Sequence, residues 1–118
     1  MQDVLNPELE TMTMRRITQR DLEGAVARIN GEVNGYTTAN PNDLTKEARV
    51  GLFYIQGAYG GWKLERIENA AGGCSDVFGS GFVSRRDLYN MLFAMLDGIR
   101  IAQATVDKWH GNAVKGTA

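Results

Sequence analysis

Residues 50–78 read VGLFYIQGAYGGWKLERIENAAGGCSDVF, and this stretch decides the fold because glycine-rich breaks divide it into three apolar runs. In the first run, Val50, Leu52 and Tyr54 share one face, and apolar residues also occupy the other face. The runs WKLERIE and CSDVF predict two further strands. Three strands joined by short loops predict an antiparallel β-meander.

A helix is predicted before this sheet, over residues 19–33 and ending near Asn34-Gly35. Thr18 is its predicted N-cap, with Asp21 at the third helical position. One face of the helix carries apolar residues at helical spacing, namely Leu22, Ala25, Val26, Ile29 and Val33. The segment YTTANPNDLTKEA, between helix and sheet, is predicted to be a loop.

A second helix is predicted after the sheet, from about residue 85 to 109, with Ser84 as N-cap and Asp87 at the third position. Its apolar positions at helical spacing are Leu88, Met91, Leu92, Met95, Leu96, Ile99, Ala102, Val106 and Trp109. At about 1.5 Å per residue this helix exceeds what a small three-stranded sheet covers. We therefore expect its far end to pack on another subunit of a homo-oligomer.

The predicted fold class is α+β: an N-terminal helix, a three-stranded antiparallel β-meander and a long C-terminal helix. A chain of 118 residues accommodates one hydrophobic core, so we predict a single domain over residues 18–110. Residues 1–17 are predicted to be an N-terminal arm, and residues 111–118 a C-terminal tail.

Composition narrows the function. The net charge of −1 supplies no general attraction to DNA, so any anion site must be local. No apolar stretch is long enough for a signal peptide or a membrane span, which predicts a cytoplasmic protein. A single cysteine, Cys74, excludes an intrachain disulfide, and with one histidine, His110, no metal cluster is expected. We predict no catalytic residues and no cofactor, because neither residue has a sequence partner that would activate it.

The chain has 14 glycines, concentrated at the turns around the meander. Glycine-rich turns are explained by backbone conformation alone, or by close approach of the backbone to a ligand. Tyr59 lies in the first of these turns, where its ring either caps the end of the sheet or stacks on a planar base.

The run Ser84-Arg85-Arg86-Asp87 opens the second helix and is the best anion site in the sequence. Free backbone N–H groups at a helix start favour an anion, and a guanidinium adds a bidentate phosphate contact. The alternative is a solvated charge pair, with Asp87 offsetting part of the positive field. Arg15, Arg16 and Arg20 form a smaller basic cluster, which is either solvated surface or a polyanion site built by several subunits.

The run GAYGGWKLERIENAAGGCSDVFGSGFVSRRDLYNML, preceded by LEGAVARINGEVNG and LFYIQ, resembles the Thoeris anti-defence type one family of small phage proteins. The shared features are an AYGG turn, an asparagine at a strand end, a glycine pair and an Arg-Asp-Leu-Tyr helix start. The resemblance covers about residues 18–97.

This resemblance implies a non-catalytic sponge that sequesters nucleotide immune signals in the cytoplasm of an infected bacterial cell. It implies a dimer-based oligomer, most simply a hexamer, that holds glycocyclic ADP-ribose isomers and, at a separate site, cyclic trinucleotides. Tyr59 matches the base-stacking aromatic residue, Asn69 the hydrogen-bonding asparagine and Arg86 the phosphate-facing arginine, beside Ser84. Asn90 departs from the pattern, because a longer basic residue is expected there.

For the trinucleotide site the resemblance supplies no motif. Its assignment to Arg15, Arg16, Thr18 and Arg20 rests only on their basic character and position.

Two alternatives remain open. The order helix, three strands, helix is also that of a double-stranded RNA-binding domain, although Asp87 and Asn90 interrupt the basic stripe such a domain uses. A small structural or adaptor protein of a phage particle is also compatible with the sequence.

Overall fold

The computed structural model describes the backbone of residues 16–117 and the side chains of residues 16–110. Its elements are helix α1 (Gln19–Asn34), a 3₁₀ turn (Pro41–Asp43), strands β1 (Phe53–Ala58), β2 (Gly61–Ile67) and β3 (Cys74–Asp76), and helix α2 (Arg85–Thr117). The strands pair antiparallel in the order β1-β2-β3. The predicted α+β meander is therefore confirmed.

The core lies between one face of the sheet and the two helices, which also pack on each other. Its buried residues are Ile17, Leu22, Ala25, Val26, Ile29, Phe53, Leu64, Leu88, Leu92 and Leu96. Each large aliphatic side chain buried in this way stabilises the fold by roughly 1.5–3 kcal/mol. Ile17 belongs to this core, so packing of the domain includes a residue that was predicted to lie in the arm. Residues 1–15 of that arm lie outside the described residues.

Helix α1 begins and ends within one residue of its predicted bounds. Thr18 and Asp21 form a capping box, in which the Asp21 N–H donates to Thr18 Oγ1 at 3.2 Å and the Thr18 N–H donates to Asp21 Oδ2 at 2.9 Å. The predicted apolar face is correct except at its end, where Val33 is 42% exposed. The fully buried residue in the last turn is polar, Asn30.

The side-chain amide of Asn30 joins helix α1 to the outer edge of strand β1. Its Nδ2 donates to the Phe53 carbonyl at 2.8 Å and to the Thr38 carbonyl at 2.6 Å. Its Oδ1 accepts from the Phe53 N–H at 2.9 Å and from Asn34 Nδ2 at 3.1 Å. The amide thus pairs with both backbone groups of Phe53, as a neighbouring strand would.

Two strand boundaries differ from prediction. Strand β1 begins at Phe53 rather than Val50 because local turns hold the preceding chain, with the Arg49 N–H bonded to the Thr45 carbonyl at 3.0 Å and the Leu52 N–H to the Arg49 carbonyl at 2.9 Å. Strand β3 stops at Asp76 because the carboxylate of Asp76 accepts from the N–H groups of Gly79 and Gly81, which closes a loop.

Helix α2 begins at the predicted N-cap, where Ser84 Oγ accepts from the Asp87 N–H at 3.1 Å. It runs to Thr117 and therefore includes the backbone of residues 111–117, which were predicted to form a tail. A single glycine inside a helix lowers the stability of the helix by roughly 1 kcal/mol, which is not enough by itself to end it, so the glycines of this segment are compatible with a continuous helix. Residues 100–110 of α2 are all exposed, including Ile101 at 66% and Trp109 at 69%. In the described part of the chain, neither helix has the length and apolar composition of a membrane crossing.

Replacing Asn30 with alanine is expected to lower the free energy of unfolding by about 3 kcal/mol, because it leaves the buried N–H and C=O of Phe53 without the partner that the amide provides. Urea denaturation followed by circular dichroism measures this loss. Asn42→Ala is the matched control, since the Asn42 side chain is exposed and forms no hydrogen bond to another described residue. Equal stability of the two variants would show that the amide does not hold the sheet edge.

Candidate functional site

The turn between β1 and β2 contains only Tyr59 and Gly60, because Ala58 and Gly61 already form a cross-strand pair. Both turn residues have positive φ, 53° for Tyr59 and 73° for Gly60, as in a type I′ turn. Glycine and asparagine adopt this conformation readily, whereas a tyrosine there is strained by about 1–2 kcal/mol. The ring of Tyr59 is therefore held at the tip of the hairpin against the local backbone preference.

Close packing explains another glycine of the hairpin. Gly57 lies opposite Trp62, and a Cβ atom at Gly57 would come within 2.8 Å of Trp62 Cζ3. The same tryptophan pairs with Val83, since each backbone N–H donates to the other's carbonyl at 2.8 Å. This pairing brings the start of helix α2 to the tip of the β1–β2 hairpin.

A cleft of about 670 Å³ opens where the hairpin, the start of α2 and the segment before α1 meet. We call it the arginine cleft. It is lined by Arg16, Ile17, Gly57, Ala58, Gly60, Gly61, Trp62, Ser84, Arg85 and Arg86. Its volume is in the range of pockets that bind nucleotide-sized ligands.

Two independent features place positive charge at the arginine cleft. Arg16, Arg85 and Arg86 reach it from two segments far apart in sequence, and the N-terminus of α2 adds the positive end of a helix dipole. Among the described residues, no carboxylate lines it. Asp87, which the sequence suggested as an offsetting charge, is not part of the lining.

Tyr59 stands beside this cleft, since Ala58 and Gly60 on either side of it are lining residues. Its side chain is 94% exposed, so the ring does not cap the core. One edge contacts Phe82, with ring centroids 5.5 Å apart. The rest of the ring is open to solvent, which is the arrangement that stacking on a planar ligand requires.

Two of the predicted contact residues are not brought to the cleft within one chain. Asn69 lies past the other end of the seven-residue strand β2, and at about 3.3 Å per residue this places it roughly 20 Å from the hairpin tip. There its Oδ1 accepts from the Gly73 N–H at 3.1 Å. Asn90 is exposed one helical turn after Arg86 but does not line the cleft.

The residues assigned to a second site are also separated. Arg16 lines the arginine cleft, whereas Arg20 lines a different cavity of about 650 Å³ between α1 and the 3₁₀ turn. Thr18 is occupied in capping α1. Arg15 lies outside the described residues.

The outer face of the sheet carries a polar cluster of Tyr54, Lys63, Glu65 and Cys74. The Tyr54 hydroxyl lies 2.7 Å from Glu65 Oε1 and 3.2 Å from Cys74 Sγ, and Lys63 Nζ lies 3.2 Å from Glu65 Oε2. Burial pushes the pKa of Glu65 upward, but hydrogen bonds from Tyr54, Lys63 and Cys74 outweigh it and lower that pKa. Burial, followed by the bonds to Cys74 and Glu65, raises the pKa of Tyr54 well above its ordinary value.

Sequence reasoning missed the parts of the site that depend on long-range pairing. Phe82 contacts the Tyr59 ring because Val83 pairs with Trp62. Arg16 lines the same cleft as Arg86 because the neighbouring Ile17 is buried in the core. Two local signals for the cleft were recognisable in the sequence, namely the Ser84-Arg85-Arg86 helix start and the glycine-rich turn that contains Tyr59.

Comparison of the chain with protein-family models, with curated proteins and with solved structures gives no significant match. The proposed function therefore depends on the geometry of the arginine cleft and on the resemblance stated above.

Replacing Tyr59 with asparagine is expected to raise the free energy of unfolding by about 0.5–1 kcal/mol, because Asn-Gly is a favoured type I′ turn. Thermal denaturation of this variant and of Tyr59→Phe, which keeps the strained ring, measures the difference. A less stable Tyr59→Asn variant would mean that the contact with Phe82 outweighs the backbone strain.

Proposed function

We propose that this protein is a non-catalytic sponge that binds a phosphate-bearing cyclic nucleotide in the arginine cleft and thereby withdraws it from signalling. The convergence of three arginines on one helix start beside an exposed, strained tyrosine is the observation that supports this most strongly. Following the resemblance, the ligand is a glycocyclic ADP-ribose isomer, and the setting is the cytoplasm of an infected bacterial cell, where its sequestration would block anti-phage defence.

Each part of such a ligand has a counterpart in the cleft. The phosphates are expected to contact Arg86, Arg85 and Arg16, because guanidinium groups bind phosphate oxygens in pairs. Backbone N–H groups of the first turn of α2, next to Ser84, add further donors. A base is expected to stack on Tyr59, whose ring is exposed at the cleft edge.

The absence of bond cleavage is part of the proposal. Ser84 is the only side-chain hydroxyl in the described lining, and its Oγ already accepts from the Asp87 N–H as the helix cap. None of the described lining residues is a histidine or a carboxylate that would take the proton of Ser84 or of a water molecule. These features favour binding without turnover.

We further propose that α2 assembles the protein as a homo-oligomer of dimers, most simply a hexamer. Apolar positions Leu88, Leu92, Met95 and Ile99 pack within the chain, and the same three-and-four spacing continues through Ala102, Val106 and Trp109, which are exposed. A second copy of α2 supplies a matching apolar face, because the stripe continues without a charged residue. In such an assembly, we expect a neighbouring subunit to bring its Asn69 to the arginine cleft. We also expect the separate cyclic-trinucleotide site predicted at Arg15, Arg16, Thr18 and Arg20 to be built by more than one subunit, with Arg15 outside the described residues.

Arg86→Ala is expected to weaken binding of glycocyclic ADP-ribose by about 1.5–3 kcal/mol, because it removes a charge-assisted phosphate contact. Isothermal titration calorimetry measures this loss, and heat denaturation of the complex should return intact ligand. Arg100→Ala is the control, since Arg100 is exposed on α2 away from the cleft. Unchanged affinity of Arg86→Ala would falsify the phosphate assignment, recovery of cleaved ligand would indicate an enzyme, and salt-sensitive RNA binding without ligand binding would favour the RNA-binding alternative.

Assembly is tested by Trp109→Glu, which places a charge in the exposed apolar stripe of α2. Light scattering is expected to give a multiple of the 13.0 kDa chain mass for the wild type and a smaller species for Trp109→Glu. Lys108→Glu is the control, because Lys108 is exposed on a different face of the same helical turn. A wild-type protein with the mass of one chain would contradict the oligomer.

A further inference from the structure

A third cavity, of about 310 Å³, lies at the end of the sheet opposite the arginine cleft. We call it the two-cation cavity. It is lined by Pro41, Lys46, Arg49, Tyr54, Ile67, Asn69, Ala70, Ala71 and Gly72. None of these described lining residues is acidic, and two of them, Lys46 and Arg49, are cations.

Two backbone carbonyls hold the guanidinium of Arg49 in place. Its Nε donates to the Pro41 carbonyl at 2.7 Å and to the Leu44 carbonyl at 3.0 Å. These bonds fix the plane of the guanidinium while its two terminal nitrogens make no hydrogen bond or ion pair to another described residue. A guanidinium fixed in this way loses little side-chain entropy when it binds an anion.

Further donors belong to residues that line the same cavity. Lys46 is exposed and forms no ion pair or hydrogen bond to another described residue. Asn69 to Gly72 form a tight turn in which the Gly72 N–H donates to the Asn69 carbonyl at 3.0 Å. The N–H groups of Ala70 and Ala71, between them, have no acceptor in the described chain.

The remaining wall is uncharged. Tyr54 keeps its proton through the physiological range because burial and its bonds to Cys74 and Glu65 raise its pKa. Pro41 and Ile67 supply apolar surface. The negative charge nearest to Tyr54 in the outer-face cluster, on Glu65, is paired with Lys63 at 3.2 Å.

We propose that the two-cation cavity binds a phosphate group, either free or as the phosphomonoester of a compact organic molecule. Arg49 would hold two phosphate oxygens bidentately, and Lys46 would supply the second positive charge. Two cations together with several neutral donors match a dianion with three oxygens better than a carboxylate, which has one charge and two oxygens. This site does not depend on the function proposed for the arginine cleft.

The test uses the full chain labelled with ¹⁵N and titrated separately with inorganic phosphate and with AMP. Backbone amide signals of residues 46–49 and 70–72 are expected to shift in a saturable manner. A higher affinity for AMP identifies an organic phosphate as the ligand, and equal affinities identify free phosphate. An absence of saturable shifts at these amides with both probes overturns the proposal.

Lys46→Glu is expected to lower the affinity of this site at least about tenfold, because it removes one charged contact and adds a repulsive one. The substitution should not affect folding, since Lys46 is exposed and forms no hydrogen bond or ion pair to another described residue. Lys108→Glu, the same charge change on the exposed end of α2, should leave the affinity unchanged. Arg86→Ala should also leave it unchanged, and a loss of the shifts in that variant would assign them to the arginine cleft and reject this site.

Discussion

The pairing of the Asn30 amide with both backbone groups of Phe53 is the interaction on which the rest of the structure depends. An edge strand exposes N–H and C=O groups that must be satisfied wherever they are buried. Here the side chain of Asn30 satisfies the two backbone groups of Phe53, so directional hydrogen bonds as well as apolar contacts hold α1 on the sheet. Asn34 extends the same arrangement to the Gly51 carbonyl, and the loop between α1 and β1 is thereby fixed at both ends.

The arginine cleft and the two-cation cavity are both positioned by this frame. The core fixes Ile17 and hence Arg16, while the pairing of Trp62 with Val83 fixes the start of α2, so that the arginines meet at the hairpin tip. At the opposite end, the loop held by Asn30 and Asn34 presents Arg49. Each of these two groups of cationic side chains therefore lies where a connection is held to a strand end, although the net charge of the whole chain is only −1.

The sequence predicted those features that depend on local chemistry. The caps at Thr18 and Ser84 and the apolar faces of both helices are recognisable from a few neighbouring residues, and the structure has them nearly in place. The hydrogen bonds from Asn30 to the edge of the sheet could not be predicted, because a buried asparagine has no periodic signature and its partners are distant in sequence. Arg86 could be identified because it lies at a recognisable helix start. Arg49 could not, because its orientation depends on the carbonyls of Pro41 and Leu44.

The exposed end of α2 has an evolutionary consequence. Residues 100–110 are exposed along their whole length, whereas the cleft is built from the hairpin, the segment before α1 and the first residues of α2. In the proposed oligomer, substitutions in this part of the helix would change the contact between copies without disturbing the core or the residues that line the cleft. Under the proposed function, selection for assembly and selection for ligand fit would therefore act largely on different segments of one short chain.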